Sequence, residues 1–459
     1  MNSGRWDENG KIRPGTYINV DATGSDSIQR GTRGVVLIPL IGNGWGADKS
    51  VVTVKASRMD AEMAKLGFRP SENILTKQAL LNAATVLLYI INSGTKATVT
   101  TTLVAATDDD PAVTLTSTAK CEGTTGNTLK VSCAANADST FDVTVFLGTE
   151  AVETFRGLST CQDLKDAGSE YIDFTGSDLT HALVAFSSAT LTGGTTTTPV
   201  TADFTAFLDA LENIKCNAVA LPTTEAGLIT AAISKVKYLR DDIGKTVVFV
   251  VPNQAAGIAN YEGLVNVVNS VILEDGTTVT IPEVTAFVAG ACAGASELIS
   301  NTGLVHPLAV DISGALGNEA AEQAILDGKM FFSFNNDNDV AIEYDINSLH
   351  TFTDKRTKDY RKNKVIRVFD AVTDAIRATF PPNRFENSKL GWDRVDGLGQ
   401  VLLRTFSDDE GGEGAITEVD YSNDFLVDRE KSEGDSMYIN VGIKAVDMAE
   451  KLYFQVNTR

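Results

Sequence analysis

The chain reads as a multidomain α/β protein with an inserted all-β module, an expectation that rests on three features of its 459 residues. Continuous apolar runs alternate with amphipathic helical patterns in 35–96 and again in 201–345, which is how a largely parallel sheet with helices on both faces is written. Between them, 97–200 is Thr-rich, with short period-two segments separated by Gly, Asn and Asp turns. The last stretch, SMYINVGIKAVDMAEKLYFQVNTR, alternates twice with the period of a strand that has one buried face. The expected organisation is an extended N-terminal arm at 1–34, a discontinuous central α/β domain at 35–96 and 201–345, and a β-sandwich-like insertion at 97–200. A C-terminal α+β domain at 346–444 and a C-terminal arm at 445–459 complete it. A chain this long exceeds what one hydrophobic core can serve.

Composition narrows the function. The formal charge of -21 argues against nucleic acid or anionic lipid as principal partner. The N-terminal MNSGRWDENGKIRPG has no apolar signal segment, and no run approaches the roughly 20 apolar residues that span a bilayer. Cytoplasmic synthesis without membrane insertion is expected. Cys121, Cys133, Cys161, Cys216 and Cys292 are widely spread with no C-x-x-C pair, so free, mostly buried thiols are expected.

In the arm, only 17–20 looks like a strand, after the Pro14-Gly15 turn; the polar stretch 21–34 reaches roughly 45 Å if extended, far enough to carry that strand to a neighbour. Val35–Ile41 is a strand buried on both faces, followed by GNGWG and a strand at 51–54. Ser57 and Asp60 suggest a capping box for a helix that Gly67 closes. A helix at 75–84 feeds the strand at 86–91. The TGGTTTTPVT linker ends the insertion, and the α/β alternation resumes. Phe204, Phe207, Leu208 and Leu211 share one helical face, followed by a strand at 217–221. Leu228, Ala232, Val236 and Leu239 share another, followed by a strand at 246–251. A hairpin tip at 274–277 joins 265–273 to 278–281, and a small-residue helix at 282–299 precedes a strand near 308–310. A long helix is expected from Thr351 or Thr353 to the Pro381-Pro382 stop, burying Val365, Phe369, Val372, Ile376 and Phe380, with loops and short elements from 383 to 413.

Catalytic signatures are missing from the text. His181, His306 and His350 sit beside no plausible nucleophile, and no G-x-S-x-G, H-E-x-x-H or Walker loop occurs. GNGWG leads into β-type sequence rather than a helix, which argues against a dinucleotide loop. Asn335, Asp337 and Asp339 have EF-hand-like spacing, but Val340 and Ile346 occupy the glycine and glutamate places, so a polar turn is expected. No cofactor or metal is expected. The positive cluster Lys355, Arg356, Lys358, Arg361, Lys362, Lys364 and Arg367 reads either as a solvated helix face or as a surface that docks on an acidic protein.

The final stretch is equally two-sided. Met437, Ile439, Val441 and Ile443 form the inward face of one strand, and Leu452, Phe454 and Val456 that of a second. The linking AVDMAE lacks two-residue hairpin chemistry. The last strand is therefore either an ordinary edge strand or a strand donated to another subunit.

Taken together, KIRPGTYINV, GVVLIPLIGNGWG, KNKVIRVFDAVTDAIRATF and the closing stretch resemble contractile phage tail sheath proteins of the Gram-positive phage or phage-tail-like particle type. The resemblance spans nearly the whole chain. It implies a subtilisin-like central fold without the triad, and a non-enzymatic subunit of hexameric rings stacked into a helical tube around an inner tail tube. Baseplate and tail terminator proteins would be further partners. It also implies that Thr16, Tyr17, Ile18 and Val20, and Leu452, Phe454 and Val456, are lent to neighbours, with Met437, Ile439, Val441 and Ile443 in the receiving sheet. Lys355, Arg356, Lys358, Arg361, Lys362 and Lys364 would then face the inner tube. The alternative reading is an acidic cytoplasmic α/β enzyme, hydrolase-like, with an appended β domain.

Overall fold

In this computed structural model, which describes residues 2–4, 15–17, 33–409 and 411–456, the chain divides into two compact units: 32–367 with 447–459, and 1–31 with 368–446. The first is built on a seven-stranded sheet in the order Lys329–Met330, Leu264–Val267, Val248–Pro252, Ala218–Ala220, Val35–Ile41, Thr85–Ile91, Val51–Lys55. Every pairing is parallel except that of the edge strand Val51–Lys55. The apolar run at 35–41 is continuous because both of its faces are covered. Val36, Ile38 and Leu40 face one layer, packing with Ala79, Val284, Phe287 and Val288 of the helices Ile74–Leu80 and Ile281–Gly294. Leu37 faces the other, with Phe207, Leu228, Ala232 and Val236 of Thr201–Ala210 and Ala226–Lys237. At about 1.5–3 kcal/mol for each fully buried large apolar side chain, these two layers anchor the unit.

Local signals set the helix ends, though not always as expected. Asn73 caps Ile74–Leu80 by accepting from Thr76 N, and Thr280 with Glu283 closes a capping box on Ile281–Gly294. The Ser57–Asp60 box does not form; Asp60 accepts instead from Ser71 N and Oγ, and a short 3-10 turn, Met59–Glu62, leads into Met63–Leu66. The expected strand at 265–273 is two strands: Leu264–Val267 enters the large sheet, whereas Ser270–Leu273 pairs antiparallel with Ala309–Ser313.

The Thr-rich segment folds as two four-stranded antiparallel sheets. One contains Leu129–Ala135, Phe141–Leu147, Glu150–Leu158 and Phe186–Thr190, and the other Gly94–Val104, Val113–Glu122, Ile172–Gly176 and Thr195–Thr196. Leu115, Ala119, Leu129, Val131, Val143, Val145 and Phe174 fill the space between. The GNGWG loop keys this sandwich to the central sheet. Trp45 is buried among the sandwich side chains, its Nε1 donating to Ala64 O at 2.8 Å. Buried Asn92 donates through Nδ2 to Gly46 O at 2.9 Å and Glu122 O at 2.8 Å.

In the second unit, Val368, Val372 and Ala375 of the helix Asn363–Thr379 pack with Val395, Leu402, Leu403 and Phe406 of Lys389–Phe406. The first helix starts about ten residues later than expected, because 351–357 forms exposed turns. The second helix replaces the expected loops. It is capped by Ser388 and passes so close to Phe425 that a Cβ on Gly399 would stand 1.9 Å from the Phe425 ring. Two short antiparallel ladders complete the unit, Phe425–Val427 with Ile439–Val441 and Ile416–Thr417 with Lys444–Ala445. In the arm, Gly15–Tyr17 pairs in parallel with Asn2–Gly4.

Candidate assembly interface

Burial divides the basic cluster. Lys355 and Lys358 are exposed. Arg356 lies over the Tyr261 ring and pairs with Asp241 at 3.0 Å and Glu262 at 2.9 Å. Arg361 and Lys364 are buried, so neither presents a solvated face, and desolvation lowers the pKa of both. Lys362 stands 4.4 Å over the Tyr344 ring, 3.6 Å from Asp447 Oδ2 and against Glu450 Oε2. Burial lowers its pKa, and Asp447 and Asp345 oppose that shift. Local pattern does not carry this division, because Asp447 and Glu450, which meet Lys362, lie far along the chain.

Asp345 is the hub of that network. Its Oδ2 accepts from Arg367 Nη2 at 2.9 Å and Asn301 N at 2.9 Å, and its Oδ1 accepts from Asn363 Nδ2 at 2.8 Å. Arg367 donates further to Ile299 O at 2.6 Å. Both charged side chains are almost fully buried, an arrangement tolerated only because nearly every lone pair of the carboxylate is engaged. Thr302 links the hub to the tail: its Oγ1 accepts from Asp345 N at 2.9 Å and donates to Glu450 Oε1 at 2.6 Å, and Ser300 Oγ donates to the same oxygen at 2.7 Å.

Beyond Glu450 the character of the chain changes. Leu452, Phe454 and Val456 are 67%, 82% and 90% exposed, and 446–456 forms no ladder with the described residues. The alternating pattern is present, yet 451–456 forms no strand among the described residues, because a strand is completed only by a neighbouring ladder. Met437, Ile439 and Ile443 are half-buried against the core of the second unit, whereas Val441 is exposed. Thr16 and Tyr17 belong to Gly15–Tyr17; Ile18 and Val20 lie outside the described residues.

Among the described residues no group of three or more His, Cys, Asp or Glu is placed to hold a metal ion, and no helix is long and apolar enough to cross a membrane. Asn335 Oδ1 accepts from Asp337 N and Asp339 N, capping its own turn. Among the five cysteines, all free, four are buried and Cys121 is half-buried.

Comparison with known proteins agrees along the chain. Residues 92–198 match the phage tail sheath protein beta-sandwich domain, 198–348 the phage tail sheath protein central domain, and 355–459 the phage tail sheath C-terminal domain. The phage-like element PBSX protein XkdK of Bacillus subtilis is 32% identical over 469 residues, covering 97% of each chain. A sheath tail protein from Desulfitobacterium hafniense superposes with a TM-score of 0.78 at 30% identity, over 96% of this chain and 99% of that one. A second, from Listeria innocua, gives 0.74 at 32%, over 93% and 95%. Fold, domain order and near-complete coverage by relatives of this similarity lead to one conclusion: the chain belongs to the phage tail sheath protein family.

Proposed function

We propose that this chain is the repeating subunit of a contractile sheath, linked to its neighbours by a strand donated from its C-terminus. The observation that carries the reading is the bare apolar alternation of Leu452, Phe454 and Val456. Three large apolar side chains left in water at alternate positions are a poor arrangement for an isolated subunit and a good one for a strand awaiting a sheet edge. The receiving edge in this reading is the neighbour's ladder around Ile439–Val441, with Met437, Ile439 and Ile443 already seated on a core and Val441 exposed beside them.

A surface that binds a different surface of the next copy propagates as rings and helices rather than closing as a dimer. A donated strand of about five hydrogen bonds, each worth roughly 1 kcal/mol net, holds while the segments on either side bend. Contraction is then a rigid-body change between two packings, with the joints intact. In the assembled tail or tail-like particle, the N-terminal arm carrying Thr16, Tyr17, Ile18 and Val20 would provide a second link. Lys355 and Lys358 would face the inner tube, and the ends of the sheath would meet baseplate and terminator proteins.

Removing residues 451–459 tests the central claim. The expected product is a folded monomer with an unchanged melting curve that forms no tubes under negative-stain microscopy. Tubes of normal length from that protein would end the strand-donation reading.

A further inference from the structure

The tail projects into solvent from a fixed root, and the root belongs to the central unit, even though the tail follows the C-terminal unit in sequence. Glu450 is the last half-buried residue before the exposed stretch, its side chain only 9% exposed. Three groups from 300–362 meet its carboxylate: Ser300 Oγ at 2.7 Å, Thr302 Oγ1 at 2.6 Å and the Lys362 ammonium, with Asp447 3.6 Å from the same ammonium. Lys451 adds a looser contact, 5.9 Å over the Tyr344 ring that Lys362 also covers. Thr302 passes the connection on to Asp345, and through it to Arg367, Asn363 and Asn301. A carboxylate that gives up its water for two hydroxyls and a cation on one rigid body is pinned to that body.

We propose that the contact of Glu450 with Lys362, Ser300 and Thr302 is an anchor that fixes where the donated strand leaves its subunit and carries tension from a neighbour into the central α/β unit. This rests on the strand-donation reading. Glu450 and Lys362 are then positioning residues: they do not enter the neighbour's sheet, but set the point and direction from which residues 451–456 reach it. With the anchor closed, a pull on the strand meets the buried network around Asp345. With the anchor open, residues 447–450 become slack between the strand and the Val446 N to Ala415 O hydrogen bond of its own subunit, and neighbouring subunits are no longer held at one spacing.

Glu450→Gln and the double variant Glu450→Gln with Lys362→Met test this, the second because it leaves no unpaired buried cation if the first strains the fold. Two readouts separate anchor from strand. In the monomer, tryptic cleavage after Lys451 needs the chain on both sides of the bond to open, so loss of the anchor should speed it about tenfold at an unchanged melting temperature. In the polymer, tubes should still form, because the strand is intact, but they should disperse at lower urea and show a wider spread of subunit spacing than wild type. Cleavage rates and tube stability equal to wild type in both variants would overturn the proposal. Should the protein lacking 451–459 form normal tubes, strand donation falls, whereas the cleavage rates of the two full-length variants still decide whether the root is anchored.

Discussion

Gly67 lies flat against the Trp45 indole: a Cβ at position 67 would stand 2.5 Å from Trp45 Cγ. The same glycine ends the helix Met63–Leu66 at φ 71, in the left-handed region. Gly67→Ala therefore combines backbone strain with a clash against a ring that is itself locked in the sandwich core. The expected loss is about 2–4 kcal/mol, read as a lower urea midpoint, with disorder spreading into the sandwich. A midpoint within error of wild type would mean that the indole can move aside.

The pair Arg367–Asp345 should be expensive to break from one side. Asp345→Ala leaves a buried guanidinium facing Ile299 O alone, and the expected cost is about 3–5 kcal/mol. Replacing both residues with apolar ones of similar volume should recover much of that loss. Denaturant titration of the two variants side by side checks the order.

His306 makes stability fall in mild acid. It is buried against Phe287 and Phe332, its Nδ1 accepts from Leu308 N, and its Nε2 meets Gln78 Oε1 at 2.7 Å, an arrangement that suits the neutral ring. Burial pushes its pKa from the usual 6.5 down to about 4. The unfolded chain takes up a proton near pH 6.5 and the folded chain only near 4, so the stability this group contributes is whole above about 6.5 and is lost as pH falls through that window. The loss is up to about 3 kcal/mol. His306→Gln should flatten the urea midpoint between pH 6.5 and 4 relative to wild type, and a parallel pH profile would refute the assignment.

The proposed docking on an inner tube assigns the contact to the exposed cations Lys355 and Lys358. Lys355→Glu with Lys358→Glu should leave the melting temperature unchanged and lower the yield of sheath assembled on purified tubes, more so at low salt. Reversal of Arg361 or Lys364 would be uninformative, because burying a carboxylate there unfolds the region first. An unaffected yield from the double variant would remove the docking role.

What could be read in advance followed from how local each cause is. The strand Val35–Ile41 was legible because burial on both faces leaves an unbroken apolar run, and the sandwich because turn residues recur between alternating segments. The helix Lys389–Phe406 was hidden by Gly391, Gly397 and Gly399, each about 1 kcal/mol unfavourable in a helix; the reason for Gly399, the approach of Phe425, is visible only in three dimensions. Burial of Arg361 and Lys364 and the inward turn of Lys362 were illegible for a related reason. A run of cations looks solvated until Asp447 and Glu450 are brought to Lys362 and Asp345 to Arg367. The closing alternation announced a strand, and 451–456 forms none among the described residues, because a ladder depends on a second edge that local pattern does not encode.

One further consequence follows from how the sandwich begins and ends. Gly94 pairs with Thr196 and Thr95 with Thr195, so the chain enters and leaves this module through adjacent rungs of one ladder, with Cα atoms about 5 Å apart. Such a doorway lets the module be exchanged like a cartridge: any foreign domain whose own termini lie side by side can be spliced in without lengthening or cutting the strands of the main body. Such a domain would have to supply a pocket for the Trp45 indole and an acceptor in place of Glu122 O for Asn92, both of which would otherwise be left in water.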